Sequence, residues 1–243
     1  MGDLVRTLIV DSTAFARIKR TDVITPNQIQ NRDVIVGLVS FGKCKYEQNY
    51  NSGIGSNGLT LARHGLIDHQ YYSKYPECYD PKIEERYVFF GKYSLLDPLP
   101  GTNLTIGEAL LSPTRTYTPI LKELFKQSRS EIHAIYHCTG GGQTKCLNFG
   151  NGIHYKKNNL FKIPPLFECI QQSSNTSWKE MYSVFNMGHR MEIICQESFA
   201  HDIVIPTAKQ FEVDAQIIGT IEKSNQKKNM LTIESEFGTF NYA

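Results

Sequence analysis

The segment IHAIYHCTGGGQTKCL, residues 132–147, anchors the interpretation of the fold. Its apolar run from Ile132 to Cys138 is typical of a strand, and Thr139–Gly142 separates that run from a helix-like continuation. Three consecutive glycines leave the backbone uncovered, so its N–H groups can approach an oxyanion closely. The segment therefore predicts either a phosphate or carboxylate site or a tight strand-to-helix turn without a ligand.

The apolar patterns on either side of this segment predict an α+β fold. Residues 33–39 form a continuous apolar run, which is typical of a strand covered on both faces. Residues 189–195 and 215–221 have strand-like patterns, and the helical stretch 199–211 between them completes a split βαβ-like unit. We therefore expect a three-layer α/β/α domain with a mixed sheet between helices.

A domain boundary is predicted near the N-terminus. Residues 3–20 alternate loosely as one long strand or a bent pair, and the polar stretch 22–32 contains Pro26. We assign residues 1–29 to the terminal strand of an N-terminal domain plus a linker. The main domain then spans 30–222, and 223–243 forms a terminal β-hairpin.

The composition is that of an ordinary globular protein. Of its 243 residues, 40% are hydrophobic and 21% are charged, and the mean hydropathy is -0.34. No apolar run has the length of a membrane span, and strand-like sequence follows Met1 where a signal peptide would have its apolar core. We therefore expect a cytoplasmic protein with no membrane partner.

Charge and cysteine usage exclude further classes. The net charge is only +2, and the basic cluster in 223–228 lies in a polar turn, so we expect a small-molecule partner and no nucleic acid. The six cysteines include no C-x-x-C pair, which favours a reducing compartment. His137, Cys138 and Cys146 match no standard ligand spacing, so no metal site is predicted.

A second glycine-rich motif, GIGSNG at residues 53–58, precedes a helix-like stretch. It matches G-x-G-x-x-G, but about ten residues separate it from the preceding strand, unlike the direct turn of a dinucleotide site. Ser56 or Asn57 is expected to cap the helix, whose N-terminal N–H groups also favour an anion. Both capping alone and anion binding stay open.

Arg115 follows Thr114 in a proline-containing segment between two predicted helices. Its planar guanidinium could offer several donors to a phosphate or carboxylate. A structural salt bridge is the alternative.

Five motifs in one order carry a family resemblance. They are GSNGLTLAR (55–63), EALLSPTRTY (108–117), HCTGGGQTK (137–145), EMYSVFNMG (180–188) and QIIGTIEK (216–223). Together they closely resemble the phosphoribosylformylglycinamidine cyclo-ligases, also called aminoimidazole ribonucleotide synthetases. The similarity covers nearly the whole chain.

The resemblance implies ATP-dependent ring closure of formylglycinamidine ribonucleotide to aminoimidazole ribonucleotide in purine biosynthesis. It also implies a homodimer, and ATP and Mg²⁺ held mainly by an N-terminal domain, so that this C-terminal portion alone would be inactive. It assigns no catalytic residue. The residues expected to bind substrate or phosphate are Ser56, Asn57, Gly58, Thr114, Arg115, Thr139, Gly140, Gly141, Gly142, Asn186 and Gly188.

The chain departs from the family pattern at two places near this expected site. Gly55 stands where the family usually has a histidine, and His189–Arg190 stand where small or apolar residues are usual. Two alternatives stay open: a non-catalytic assembly domain of the same fold, and part of the related formylglycinamidine ribonucleotide synthetase.

Overall fold

A mixed seven-stranded sheet runs through residues 13–243, the part of the chain that the computed structural model describes. The strands are β1 (Val34–Val39), β2 (Ile132–His137), β3 (Ile153–Lys157), β4 (His189–Cys195), β5 (Ala215–Lys223), β6 (Met230–Ser235) and β7 (Gly238–Tyr242). Their order across the sheet is β2-β4-β1-β5-β3-β6-β7. Neighbouring strands are antiparallel except β3 and β6, which are parallel. The predicted mixed sheet is confirmed.

Helices are distributed along the described chain between the strands. The α-helices are α1 (Leu59–Leu66), α2 (Tyr71–Lys74), α3 (Ile106–Leu110), α4 (Thr118–Ser128), α5 (Pro165–Ser174), α6 (Trp178–Val184), α7 (Glu197–Phe199) and α8 (Ile205–Gln210). A π-helical turn, Ala200–Val204, joins α7 to α8. Short 3₁₀ helices cover Arg20–Asp22, Pro26–Gln28, Pro76–Cys78, Glu85–Tyr87, Arg129–Glu131 and Gly142–Asn148. None of the helices within residues 13–243 combines the length and apolarity that a membrane span requires.

Strand β1 separates two apolar cores, because alternate residues of a strand point to opposite faces. All six residues of β1 are buried. Ile35 belongs to the core that contains residues of α1, α3, α5 and α6, namely Leu66, Ile106, Ile170 and Met181. The opposite core joins Val34, Val36 and Leu38 to residues of α4, the π turn and α8, namely Ile120, Leu124, Val204 and Ala208. This arrangement confirms the three-layer α+β prediction.

The predicted split βαβ-like unit is also present. β4 and β5 flank β1 and are both antiparallel to it, so they are parallel to each other. At the chain's end, the hairpin of β6 and β7 extends the same sheet through the pairing of β6 with β3.

The strand expected over residues 3–20 is absent from residues 13–19, the part of that segment without helical turns that the structure describes. Residues 3–12 lie outside the described part of the chain, and residues 13–19 have no regular secondary structure. Phe15 and Ile18 in this segment are exposed. The assignment of residues 1–29 to a separate domain stays a prediction.

Candidate functional site

Two glycine-containing loops meet at one edge of the sheet. Loop 53–58 leads into α1, and loop 139–142 follows β2. β1 and β2 are both antiparallel to β4, so their carboxyl ends lie at the edge where β4 begins. A methyl group on Gly140 would lie 3.8 Å from Oδ1 of Asn57, so the two loops are close neighbours. We call this pair of loops the two-loop site.

Several backbone N–H groups of the two-loop site have no hydrogen-bond partner within residues 13–243. They belong to Gly55, Ser56, Asn57, Gly140 and Gly141. Ser56, Gly140 and Gly141 are exposed, so their N–H groups are open to water or a ligand. Unpartnered N–H groups on successive loop residues are suited to holding an oxyanion.

The predicted helix cap is wrong. The N-cap residue of α1 is Gly58, which has a φ of 73° and provides no side-chain cap. Asn57 instead donates a hydrogen bond of 2.5 Å from Nδ2 to the carbonyl oxygen of Val184 at the end of α6. The last carbonyls of a helix lack intrahelical donors, so this bond satisfies one of them and attaches loop 53–58 to α6.

Gly142 is a packing residue. Its φ is 48°, and its N–H donates to the carbonyl oxygen of Thr139 over 2.8 Å. A methyl group on Gly142 would lie 2.5 Å from the carbonyl oxygen and 2.9 Å from the nitrogen of Phe185. The third glycine therefore allows loop 139–142 to lie against the end of α6, and Gly140 and Gly141 present the exposed N–H groups.

Gly142→Ala should lower the free energy of unfolding by about 3 kcal/mol. The alanine would be strained at this positive φ, and its methyl group would also overlap the backbone of Phe185. Gly152→Ala is the matched control: its φ is 64°, and the nearest atom to an added methyl, the carbonyl oxygen of Gln226, is 3.9 Å away. We expect the control to lose about 1 kcal/mol from strain alone. Urea unfolding measures both variants, and equal losses would refute the packing role of Gly142.

The geometry does not support the predicted phosphate contact of Arg115. Its guanidinium is buried and forms a two-pronged pair with Glu47, through Nε to Oε1 at 2.9 Å and Nη2 to Oε2 at 2.6 Å. The remaining donors bind the carbonyl oxygens of Val39, Phe41 and Gly42 at 3.1, 2.9 and 3.0 Å. All five N–H groups of an arginine are thereby used. The structure therefore contains the alternative, a structural salt bridge between Arg115 and Glu47. Thr114, the residue before Arg115, is exposed.

Asn186 and Gly188 tie the site together. Oδ1 of Asn186 accepts from Oγ of Ser40 at 2.7 Å and from the N–H of Gly188 at 3.1 Å. Its Nδ2 donates to the carbonyl oxygen of Gly53 at 2.8 Å. Because both ends of this buried amide have protein partners, Asn186 positions loop 53–58 relative to β1 and β4.

Arg190 lies beneath loop 53–58. Its side chain is fully buried, and Nη2 donates to the carbonyl oxygen of Ile54 over 2.5 Å. Nη1 has no partner within residues 13–243. Burial lowers the pKa of the guanidinium. The sequence alone indicated Arg190 only as an additional charge near the expected substrate-binding residues.

A buried ionic network supports loop 139–142 from below, and sequence reasoning missed it. Nζ of Lys157 lies 2.6 Å from Oε1 of Glu192 and 2.8 Å from the carbonyl oxygen of Gln143. Nε2 of His189 lies 3.0 Å from the same Glu192 oxygen. Period-two alternation in β3 could have revealed Lys157, since it shares the buried face of that strand with Ile153 and Tyr155.

The network also contains the one group of potential metal ligands identified among residues 13–243. Ligand atoms of Cys138, His189 and Glu192 lie within 4.8 Å of one another. Mg²⁺ prefers oxygen ligands and retained waters, whereas this group offers a thiol, an imidazole and a carboxylate already paired with Lys157. These residues therefore do not fit a Mg²⁺ site.

Residues 33–230 match the family model described as AIR synthase related protein, C-terminal domain. The chain is 29% identical over 237 residues to a protein from Methanococcus vannielii named phosphoribosylformylglycinamidine cyclo-ligase, a match covering 98% of this chain and 56% of that protein. A protein of the same name from Methanopyrus kandleri is 33% identical over 202 residues, covering 83% of this chain and 47% of that protein. The chain thus spans about half the length of these curated relatives.

Among solved structures, the hydrogenase maturation protein HypE is similar with a TM-score of 0.46 at 13% identity, covering 90% of this chain and 55% of HypE. The family assignment rests on the sequence match to the C-terminal domain model, which extends over most of the chain. The chain belongs to the family of AIR synthase related proteins, whose C-terminal domain is matched by residues 33–230.

Proposed function

We propose that this chain is the C-terminal portion of an enzyme that closes the imidazole ring of aminoimidazole ribonucleotide, starting from formylglycinamidine ribonucleotide, in purine biosynthesis. The observation that carries the proposal is the similarity of 98% of the chain to a protein named as that cyclo-ligase. The two-loop site supports it, because a ribonucleotide substrate carries a phosphate that unpartnered N–H groups can hold.

The reaction needs phosphate binding and positioning more than covalent chemistry by the protein. An amide oxygen is a poor leaving group, and ATP supplies the phosphoryl group that allows it to leave as phosphate when the amidine nitrogen attacks. Positioning of the reactants can provide a large share of the rate enhancement. We assign the contacts with phosphate to the backbone of Ser56, Asn57, Gly140 and Gly141, and we propose Thr114 and Thr139 as further contacts.

In this proposal, the predicted residues Gly58, Gly142, Asn186 and Gly188 maintain the structure of the two-loop site. Gly58 and Gly142 allow the two loops to approach α6, and Asn186 and Gly188 hold loop 53–58 in place. We propose that ATP and Mg²⁺ are held mainly by the part of the relatives outside this match, since the one cluster of potential metal ligands identified in the described residues does not fit Mg²⁺. A homodimer and a cytoplasmic location belong to the same proposal.

A chimera tests the proposed activity. Residues 33–230 of this chain would replace the matching domain of the Methanopyrus kandleri relative, and formation of aminoimidazole ribonucleotide would be measured with and without ATP. We expect ATP-dependent product from the chimera and none from the isolated 243-residue chain.

Calorimetric titration of the isolated chain with formylglycinamidine ribonucleotide provides a second measurement that does not depend on domain contacts. We expect binding, because the two-loop site belongs to this chain. A folded chimera without product, together with no substrate binding by the chain, would refute the proposal.

A further inference from the structure

Arg190 is a buried cation without a counter-ion among the described residues. Only 1% of its surface is exposed, and no carboxylate oxygen within residues 13–243 lies within 4.0 Å of its nitrogens. Two other long cations are buried within residues 13–243, and both have a counter-ion: Arg115 is paired with Glu47, and Lys157 is paired with Glu192. An uncompensated buried charge is costly, so a negatively charged ligand would be stabilising here.

The guanidinium is oriented towards the two-loop site. A methyl group on Gly55 would overlap Nη2 and Cζ of Arg190 and lie 2.6 Å from Nη1, so the Gly55 backbone rests directly on the guanidinium. The N–H groups of Gly55 and Ser56 have no partner in the described chain. The Gly55–Ser56 segment that covers Arg190 therefore has unpartnered N–H groups, while hydrogen bonds at Gly53, Ile54 and Asn57 hold the loop on either side of it.

The surroundings of the guanidinium are electropositive. Burial lowers the pKa of His137, and the charges of Arg190 and Lys145 lower it further. On the far side of the site, Gly140 and Gly141 present free N–H groups. The charges of Arg190 and Lys145 thus both act on His137, which directly precedes the loop that carries the unpartnered N–H groups of Gly140 and Gly141.

We propose that the guanidinium of Arg190 lies beneath an oxyanion site and supplies its positive charge. The site takes a phosphate group, free or esterified, when the Gly55–Ser56 segment shifts. Nη1 and the N–H groups of Gly55 and Ser56 donate to the phosphate oxygens, and the exposed N–H groups of Gly140 and Gly141 complete the site. The assignment deepens the proposed function and rests on it for the identity of the substrate, but binding of phosphate to this chain is independent of ring closure.

The test is calorimetric titration of the 243-residue chain with inorganic phosphate and with ribose 5-phosphate at constant ionic strength. We expect both to bind, with tighter binding of ribose 5-phosphate if the site takes a phosphate ester. Arg190→Met should weaken both affinities about tenfold or more, because hydrogen bonds from a charged donor are lost. Its unfolding midpoint without phosphate should stay equal or rise, because an uncompensated charge is removed.

Arg86→Met is the matched control, since Arg86 is an exposed arginine paired with Glu84. It should leave both affinities unchanged. Lack of phosphate binding by the unmodified chain, or the same affinity in Arg190→Met, would overturn the proposal. Failure of ring closure in the chimera with phosphate binding intact would refute the proposed reaction and leave the anion site standing.

Gly55→Ala tests the contact between loop and guanidinium independently. The added methyl should displace Arg190 and lower the unfolding midpoint, and the same change in the Arg190→Met background should cost much less. Equal losses in the two backgrounds would show that Arg190 does not lie under Gly55 and would overturn the site.

Discussion

Lys157→Met is expected to lower the free energy of unfolding by about 3–5 kcal/mol, the loss typical of removing one partner from a buried ion pair. Glu192 would keep its hydrogen bond with His189 but lose the ammonium 2.6 Å from Oε1, inside a fully buried site. Gln143 would lose its contacts with Nζ at the carbonyl and side-chain oxygens, at 2.8 and 3.1 Å. Loop 139–142 would therefore lose the support beneath it.

Urea unfolding of Lys157→Met and Lys156→Met provides a matched comparison. Lys156 is the neighbour on the exposed face of β3, where it pairs with Glu222 at 2.8 Å. Exposed pairs of this kind contribute only about 0–1 kcal/mol. Lys157→Met with Glu192→Leu should recover most of the lost stability, because both charges are then removed. A Lys157→Met variant as stable as Lys156→Met would contradict the assigned pair.

The same pair makes the stability depend on pH. Burial alone would raise the pKa of Glu192, but the Lys157 ammonium and the hydrogen bond with His189 lower it to about 2. An unfolded glutamate has a pKa of about 4.3. Because the folded pKa is the lower one, the stabilisation is fully present above about pH 4.3 and is lost as the pH falls towards 2. In Lys157→Met, the free energy of unfolding that is lost between about pH 4.3 and pH 2 should be smaller than in the unmodified chain.

The sheet and its layers follow from local patterns, which is why they could be predicted. The apolar run of β1 and the alternation of β4 each indicate a buried strand without knowledge of any partner. Pairing between distant side chains has no such local signal. Arg115 and Glu47 are 68 residues apart, and nothing in either segment indicates which of several acidic residues the arginine selects.

The two loops of the candidate site were predictable for the same reason, since runs of glycine are visible in the sequence. Gly55 and Arg190 each depart from the family pattern, but the sequence contains no signal for the contact between them. Only the fold shows that the missing side chain at Gly55 leaves the space that the guanidinium of Arg190 occupies. The burial of Lys157 was not predicted from the sequence, and its partner Glu192 lies 35 residues away in the chain.

Arg115→Met is expected to cost about 3–5 kcal/mol of unfolding free energy, with phosphate affinity unchanged in the folded protein. Glu47 would lose both prongs of its ion pair, and the carbonyls of Val39, Phe41 and Gly42 would lose their donor. These groups hold the segment that follows β1, so the effect should appear in stability. The measurements are urea unfolding and phosphate titration below the unfolding transition.

The comparison of Arg115→Met with Arg190→Met separates the roles of the two buried arginines. The first should lose stability and keep phosphate affinity, and the second should keep stability and lose phosphate affinity, because only Arg115 has a carboxylate partner. Glu47→Gln, which retains hydrogen-bonding oxygen but no charge, should fall between Arg115→Met and the unmodified chain in stability. If Arg115→Met unfolds like the unmodified chain but binds phosphate more weakly, Arg115 is the phosphate contact that its position in the sequence first indicated.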